Sequence, residues 1–390
     1  MKEGWKDMIF AEICHSIEDG DWIEKKDQSN SGIRLIQTGN VGVGVYKDKT
    51  DKAKYISEET FVRIKCLEVV EGDVLISRLP EPVGRACVVP KLPVKSITAV
   101  DCSILKLKDC VTKSWFIYYT QSNDYFSKAK KECSGTTRDR ITRKKLSVIT
   151  IPVPPLSEQQ RIVSLLDAEF AKIDTLKANA ERNLQNAKDL FQAALKKELE
   201  PKEGWKSAKL SDVVKVINGR AYSKEELLPK GKYRVLRVGN FFTNDSWYYS
   251  DLELDEDKYC DNGDLLYAWS ASFGPKIWDG EKVIYHYHIW KMLPSMELDK
   301  YYLYYWLQSY QLTSQVMSKL HGTTMVHITK GIMEATIIQY PSDIDQQRIA
   351  QILDALNQKC KTLQANYNKT IALCDDLKQA LLRKAFNGEI

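Results

Sequence analysis

No stretch of this 390-residue chain holds an apolar run near the ~20 residues needed to cross a bilayer. The opening Met-Lys-Glu-Gly-Trp-Lys-Asp has no apolar segment behind it, so no secretory signal is read there. A soluble cytoplasmic protein with no membrane contact is expected. Cysteine pairing is missing too. The nine cysteines, Cys14, Cys66, Cys87, Cys102, Cys110, Cys133, Cys260, Cys360 and Cys374, are odd in number and form no C-x-x-C, which argues against a disulfide framework or a cysteine-rich zinc site. Scattered thiols of this kind read as small buried hydrophobes. Catalytic signatures are also lacking: there is no G-x-S-x-G elbow, no H-E-x-x-H pair and no G-x-x-x-x-G-K-[ST] phosphate loop. Gly42-Val43-Gly44 lacks the third glycine of a dinucleotide loop and the helix that should follow it. Of the five histidines, only His286 and His288 have the spacing to share one strand face. A metal pair there has no evident third ligand, and ordinary polar or stacked residues are the plainer reading. No catalysis, no metal and no cofactor bound by the chain itself are expected.

What the chain has is itself, twice. Lys2-Glu3-Gly4-Trp5-Lys6 recurs as Lys202-Glu203-Gly204-Trp205-Lys206, and Arg34 to Asn40 is matched by Arg234 to Asn240, both at an offset of 200. Gly72-Asp73-Val74-Leu75 returns as Gly263-Asp264-Leu265-Leu266 at 191. Gly135-Thr136-Thr137 returns as Gly322-Thr323-Thr324, and Gln159-Gln160-Arg161-Ile162 as Gln346-Gln347-Arg348-Ile349, both at 187. Colinear matches with a slowly drifting offset mean two copies of one unit. Between the matching blocks the copies diverge, as expected of one scaffold carrying two contact surfaces.

Each copy opens with a mixed part. Short β-branched and aromatic runs at 33–38, 61–66, 74–77 and 97–107 read as strands, and 114–131 and 299–319 read as helices. Prolines at 152, 154, 155 and 341 close these parts. A long helix follows. In copy one Ser157-Glu158-Gln159-Gln160 reads as its S-x-x-Q capping box, and in copy two Asp343-Ile344-Asp345-Gln346 takes that place. Apolar residues recur at near-heptad spacing through Ile162, Leu166, Ile173, Leu176, Leu184 and Phe191, and again through Ile349, Leu353, Leu356, Leu363, Ile371, Leu377 and Leu381. A narrow stripe of that length needs a partner to cover it, and pairing of the two helices is expected. Helix one leads straight into copy two at Pro201, so helix two must run back along it, antiparallel. The expected fold class is α+β: two mixed domains (1–154 and 201–341) separated by two long antiparallel coiled-coil helices (155–200 and 342–390), with a pseudo-twofold internal repeat.

The net charge of +5 decides little, but its distribution does more. Residues 127–145 carry eight basic side chains, among them Lys130, Lys131, Arg138, Arg140 and Arg143, against two acidic ones. Their net of +6 exceeds the whole chain's. Gly135, Thr136 and Thr137 sit in the middle, and glycine, threonine, arginine and lysine are the groups that hold nucleic-acid phosphates. Arg138 or Arg140 also suits a guanine edge. The plainer reading is a solvated helix end and loop. The matching loop in copy two has Lys319, His321, Thr323, Thr324 and His327. Further candidates flank the repeated Gly-Asn (Arg34, Asn40, Arg237, Asn240) or follow the Gly-Asp turn (Arg78, Arg85, Trp269, Ser270, Lys276). Each alone reads more readily as structural than base-reading; together they imply a basic, aromatic face on each domain.

These residues resemble a known family, the specificity subunits of type I restriction-modification systems. The resemblance spans the full length. It is carried by the double unit, by the Gln-Gln-Arg-Ile opening of each helix behind Pro155 and Pro341, and by Leu-Leu-Arg-Lys-Ala-Phe-Asn-Gly-Glu-Ile at 381–390. Copy two adds Gly-Asp-Leu-Leu-Tyr-Ala-Trp-Ser-Ala-Ser-Phe-Gly at 263–274 and Trp-Asp-Gly-Glu-Lys at 278–282. Where the family often shows Asn-Gln-His-Ile, this chain has His286-Tyr287-His288-Ile289, so only His288 and Ile289 match. The resemblance implies target-recognition domains that each read one half of a bipartite, asymmetric double-stranded DNA site, and helices that set the gap. It further implies two docked modification subunits that carry S-adenosylmethionine and methylate adenine, and restriction subunits that use ATP and magnesium. Two other classes stay open on the residues alone: an enzyme with catalysis fused to recognition, and a coiled-coil scaffold that binds only proteins.

Overall fold

The computed structural model describes residues 3–135, 138–270, 272–317 and 328–390. The chain divides into two compact units, residues 1–181 with 369–390 and residues 182–368. Both divisions fall inside a long helix, so each unit holds one end of Leu156–Glu198 and one end of Asp343–Phe386. Among the described residues, no helix is long and apolar enough to cross a membrane. All nine cysteines are free thiols, and seven are buried.

In the first unit, strand Lys6–Ile9 pairs antiparallel with Thr150–Val153, so the start of the mixed part is tied to its end. A four-stranded antiparallel sheet runs in the order Cys14–Asp19, Cys102–Leu107, Val74–Ser77, Ala86–Val88. Val74–Ser77 is buried at every position, so its sequence reads as a continuous apolar run instead of alternating. A five-stranded sheet runs Gln28–Ser29, Lys54–Ile56, Ile33–Ile36, Ser96–Thr98, Glu68–Val69, with Ile33–Ile36 parallel to Ser96–Thr98.

The second unit repeats this plan. Lys206–Lys209 pairs with Ile337–Tyr340. A four-stranded sheet runs Val214–Asn218, Ile289–Pro294, Leu265–Ser270, Ser272–Ile277. A second sheet runs Tyr248–Ser250, Tyr233–Leu236, Val283–Tyr285, Tyr259–Cys260, again with one parallel pair, Tyr233–Leu236 beside Val283–Tyr285. The duplication thus extends to strand order and direction.

Four local readings are corrected. Residues 61–66 lie not in a strand but in and just beyond helix Glu58–Ile64, because the Ser57 hydroxyl caps it, accepting from the Thr60 amide at 3.1 Å, and left-handed Lys65 (φ 58°) ends it. The expected helix at 114–131 is two, Lys113–Tyr119 and Asn123–Lys131, with Ser122 capping the second through the Tyr125 amide. Its counterpart at 299–319 is likewise two, Lys300–Trp306 and Tyr310–Met317. The run at 97–107 turns at Thr98–Cys102 and feeds two different sheets.

The helix openings also differ from the capping-box reading. The first long helix begins at Leu156, placing Ser157 inside its first turn. In the second the cap is Ser342, not Asp343: its carbonyl accepts from the Gln346 amide at 2.9 Å. The first glutamine of each Gln-Gln-Arg-Ile does something else. Gln159 is fully buried; its Oε1 accepts from the Thr112 amide (2.9 Å), and its Nε2 donates to the carbonyls of Cys110 (2.8 Å) and Pro154 (2.9 Å). Gln346 repeats the clamp on the Asp299 amide (2.7 Å) and the carbonyls of Glu297 (2.9 Å) and Pro341 (3.0 Å). Each helix is thereby fastened to the loop before its own domain's helix pair.

In the first unit Ile162, Leu166, Phe170 and Ile173 are buried, the first three in one core with Trp115, Phe116, Leu382 and Phe386; Phe386 meets Trp115 edge-on at 4.7 Å. Lys177 pairs with Asp375 (2.7 Å) and Lys378 with Asp174 (2.5 Å). One number rises as the other falls, so these segments run antiparallel. In the second unit Phe191, Leu195 and Leu199 share a core with Ile349, Leu353 and Cys360 around Tyr302, Tyr305 and Trp306. The expected stripe is not buried throughout: Leu176, Leu363 and Leu377 are exposed, at 51%, 39% and 49%. Leu184, Leu356, Ile371 and Leu381 are half-buried, and Leu382 takes the fully buried place expected of Leu381. A 3.5-residue repeat drifts by ~20° per heptad on a straight helix, so a strict heptad stripe rotates out of the seam. Small side chains take over there, Ala180 and Cys374 in the first unit and Ala187 and Cys360 in the second.

Candidate nucleic-acid interface

The basic segment of the first unit forms a closed loop. Ser134 and Arg140 exchange backbone hydrogen bonds of 2.9 and 3.1 Å. Gly135 is required between them: its φ is +137°, and an added Cβ would meet the Arg138 carbonyl at 2.2 Å. The Ile141 amide donates to the Arg78 carbonyl (3.2 Å), fixing the loop to the end of strand Val74–Ser77. Thr136 and Thr137 lie outside the described residues, as do Lys319, His321, Thr323, Thr324 and His327 of the second unit.

The charge of this segment is lower in the fold than in the sequence. Lys130 pairs with Asp139, Lys128 with Asp124 (2.8 Å), Arg140 with Asp101 (3.0 Å) and Arg143 with Glu18 (3.0 Å). Three of those four carboxylates lie outside the run 127–145, where a local count could not see them. Lys131, Arg138 and Lys144 are exposed and carry no ion pair among the described residues. Arg138 borders a cleft of about 600 Å3 whose apolar wall is Pro80, Pro82, Val83 and Phe126.

Several candidates belong to the frame instead of the surface. Arg34 is 3% exposed and held by Asp48 at 2.5 Å. Asn40 is buried, donating to the Lys47 carbonyl and accepting from the Gln37 amide, both at 2.9 Å. Arg85 is 8% exposed and staples four carbonyls: Val41 (2.6 Å), Leu79 (2.8 Å), Pro82 (3.0 Å) and Thr38 (2.8 Å). Arg78 is 4% exposed, donates to the Val100 carbonyl and lies 3.5 Å from Asp19; burial lowers its pKa. Ser270 is buried. These five are corrections: a side chain enclosed by the frame does not present its polar atoms to DNA.

In the second unit the matching strand ends carry different chemistry. The Arg78 amide donates to the Asp101 carbonyl (2.8 Å), as the Trp269 amide does to that of His288 (3.1 Å). Arg78 reaches the Val100 carbonyl, and Trp269 Nε1 reaches the matching Tyr287 carbonyl at 2.8 Å. Trp269 thus stands where Arg78 stands, and His288 where Asp101 does. Trp269 stacks on Trp290 (5.6 Å, 19°) and meets His288 edge-on at 5.0 Å. Lys276 lies 3.4 Å from Asp279 and over the Trp278 ring. Asn240, like Asn40, ties its own loop, donating to the carbonyls of Asn244 (2.9 Å) and Ser246 (2.7 Å).

Arg237 is exposed, and its guanidinium lies over Tyr248 at 5.3 Å. With Val238, Asn240, Ser246, Tyr248, His286 and His288 it lines an open pocket of about 280 Å3. Burial, then His288 and Arg237, push His286 from the usual 6.5 down to about 4, so it is neutral at physiological pH. Composition and spacing did not single out Ser246 or Tyr248; the one signal was their place in the polar turn after the repeated Gly-Asn. Among the described residues no three histidine, cysteine or carboxylate side chains are grouped to hold a metal.

Two copies of one mixed domain that keep a repeated frame and vary the side chains on it define a duplicated recognition protein. Residues 2–185 and 202–373 match the family described as type I restriction modification DNA specificity domain, and the chain belongs to that family. Its members supply DNA specificity, not catalysis. The EcoKI specificity subunit of Escherichia coli K12 is 25% identical over 329 residues, which cover 77% of this chain and 70% of that one. The StySPI specificity subunit of Salmonella potsdam is 22% identical over 335 residues, with the same coverage. Among solved structures, one from work on complex assembly and conformational transition of the type I R-M system superposes with a TM-score of 0.83 at 19% identity, covering 100% of this chain and 99% of that one. The HsdS subunit of Thermoanaerobacter tengcongensis gives 0.58 at 19% identity, with 100% and 98% coverage. At such identities the structures establish the shared fold.

Proposed function

We propose that this chain reads a bipartite, asymmetric site in double-stranded DNA, one half by each unit, as the specificity subunit of a type I restriction-modification complex. The two long helices set the unread gap between the halves and dock two modification subunits. Those subunits bind S-adenosylmethionine and methylate adenine; restriction subunits using ATP and magnesium complete the cleaving complex. The observation that carries this reading is one frame repeated with different side chains at equivalent positions. Arg78 and Trp269, and likewise Asp101 and His288, keep the same backbone hydrogen bonds while their side chains differ. That is the pattern of one reader built twice for two targets.

The test is methylome sequencing of a host carrying this chain with its modification subunit. The expected result is one motif of two short specific parts around a gap of constant length. A single uninterrupted motif would overturn the proposal, as would methylation that does not depend on this chain.

A further inference from the structure

Resting on that two-half reading, we infer that Arg237 reads a guanine in the half-site of the second unit, with Tyr248 holding its guanidinium flat and the neighbouring pocket receiving the base edge.

Three observations lead here. The first is a difference between the copies. In the first unit Arg85 fills the space beneath the loop at 38–41 and donates to the carbonyls of Thr38 and Val41. The strand ladders align Arg85 with Gly274: the Ser77 amide donates to the Arg85 carbonyl, and Ala268 lies opposite Gly274. Gly274 has no neighbour within 4 Å of where a Cβ would stand. Arg85 thus has no counterpart side chain in the second unit, and Val238, the counterpart of Thr38, lines an open pocket there.

The second observation is the state of Arg237 itself. It makes no ion pair among the described residues, unlike Arg34, Arg140 and Arg143. Its contact is the face of Tyr248. An arginine stacked on a ring keeps its in-plane N–H groups available, and their fork matches the O6 and N7 acceptors of guanine.

The third is the chemistry around it. Arg237 is the one cation in the pocket lining; the other polar groups are Asn240, Asn244, Ser246, Tyr248 and two histidines. His286 is neutral near pH 7, held so by burial and by His288 and Arg237. A phosphate site gathers several cations, whereas a mixed lining of donors and acceptors around one fork suits a base edge.

The experiment compares Arg237→Lys and Arg237→Ala in the full chain, each expressed with the modification subunit. Methylome sequencing gives the motif, and binding to cognate and altered duplexes is followed across salt concentrations. Arg237→Lys keeps the charge and loses the fork. It should relax one base position in one half-site, costing about 10- to 100-fold in discrimination there, with the other half and the salt dependence unchanged. Arg237→Ala should relax the same position. An unchanged motif in both variants overturns the inference. So does a uniform loss over all sequences with a salt slope lower by about one, the signature of a phosphate contact. Loss of both halves in Arg237→Lys would place the residue in the frame and overturn it too. Failure of the broader reading looks different: the unsubstituted chain would then give no second half at all.

Discussion

Gln159→Ala gives a sharp test of how the recognition domains are joined to their helices. The substitution leaves the Thr112 amide and the Pro154 and Cys110 carbonyls without their partner, in a place where the side chain is fully buried. Each such bond contributes ~1 kcal/mol net, and an orphaned buried group costs ~1–3 kcal/mol. Because Cys110 is exposed, its carbonyl can turn to water, so two groups carry most of the loss. The expected cost is about 2–4 kcal/mol. At roughly 2–4 °C per kcal/mol for a unit of this size, the unfolding midpoint should fall by about 5–12 °C. Thermal and urea unfolding of the full chain measure it, and Gln346→Ala should behave alike through Asp299, Glu297 and Pro341. The control is Gln160→Ala, an exposed position expected to stay within ~0.5 kcal/mol. A capping box would reverse the order. Equal costs at 159 and 160, or a loss below ~1 kcal/mol at 159, would refute the clamp.

Other expectations follow from the charge map, the helices and the buried imidazole. Replacing Lys130, Lys131, Arg138 and Arg140 with Ala should weaken DNA binding and flatten its salt dependence, by ~0.9 in slope for each phosphate that is no longer neutralised. Lys131 and Arg138 should account for most of this, since Lys130 and Arg140 already face Asp139 and Asp101; an unchanged slope removes the loop from the interface. Inserting one heptad within 176–194 should lengthen the tolerated gap and leave both half-sites as they were; changed half-site bases would mean that the helices read sequence. His286 should make the chain acid-sensitive. Its folded pKa, about 4, lies below the unfolded 6.5, so between those values the unfolded chain binds the extra proton and stability falls as pH drops. His286→Asn should remove that part of the acid slope in equilibrium unfolding between pH ~7 and ~4, and an unaltered slope would show that the imidazole is solvated.

Much of the plan was legible because it is written in local pattern. Repeated blocks such as Gly-Asp-Val-Leu and Gln-Gln-Arg-Ile gave two copies, and the long apolar periodicities gave two helices. The errors sit where a short cap outweighs a local run. Ser57 turns 58–64 into a helix, and Ser122 breaks 114–131 in two, although each flanking run reads otherwise. The stripe was right in period and wrong in extent, since Leu176, Leu363 and Leu377 rotate out to solvent.

The sequence by itself determined the duplication, the mixed domains, the long helices and the family, because repetition and periodicity are properties of neighbours along the chain. Only the tertiary structure decided which cations face outward. Arg34, Arg78 and Arg85 look the same in the sequence as Arg138 and Arg237, but carbonyls and carboxylates up to 59 positions away enclose the first three and leave the other two open. A charge is available to a ligand only where the fold brings it no partner of its own, and that depends on contacts between segments far apart along the chain.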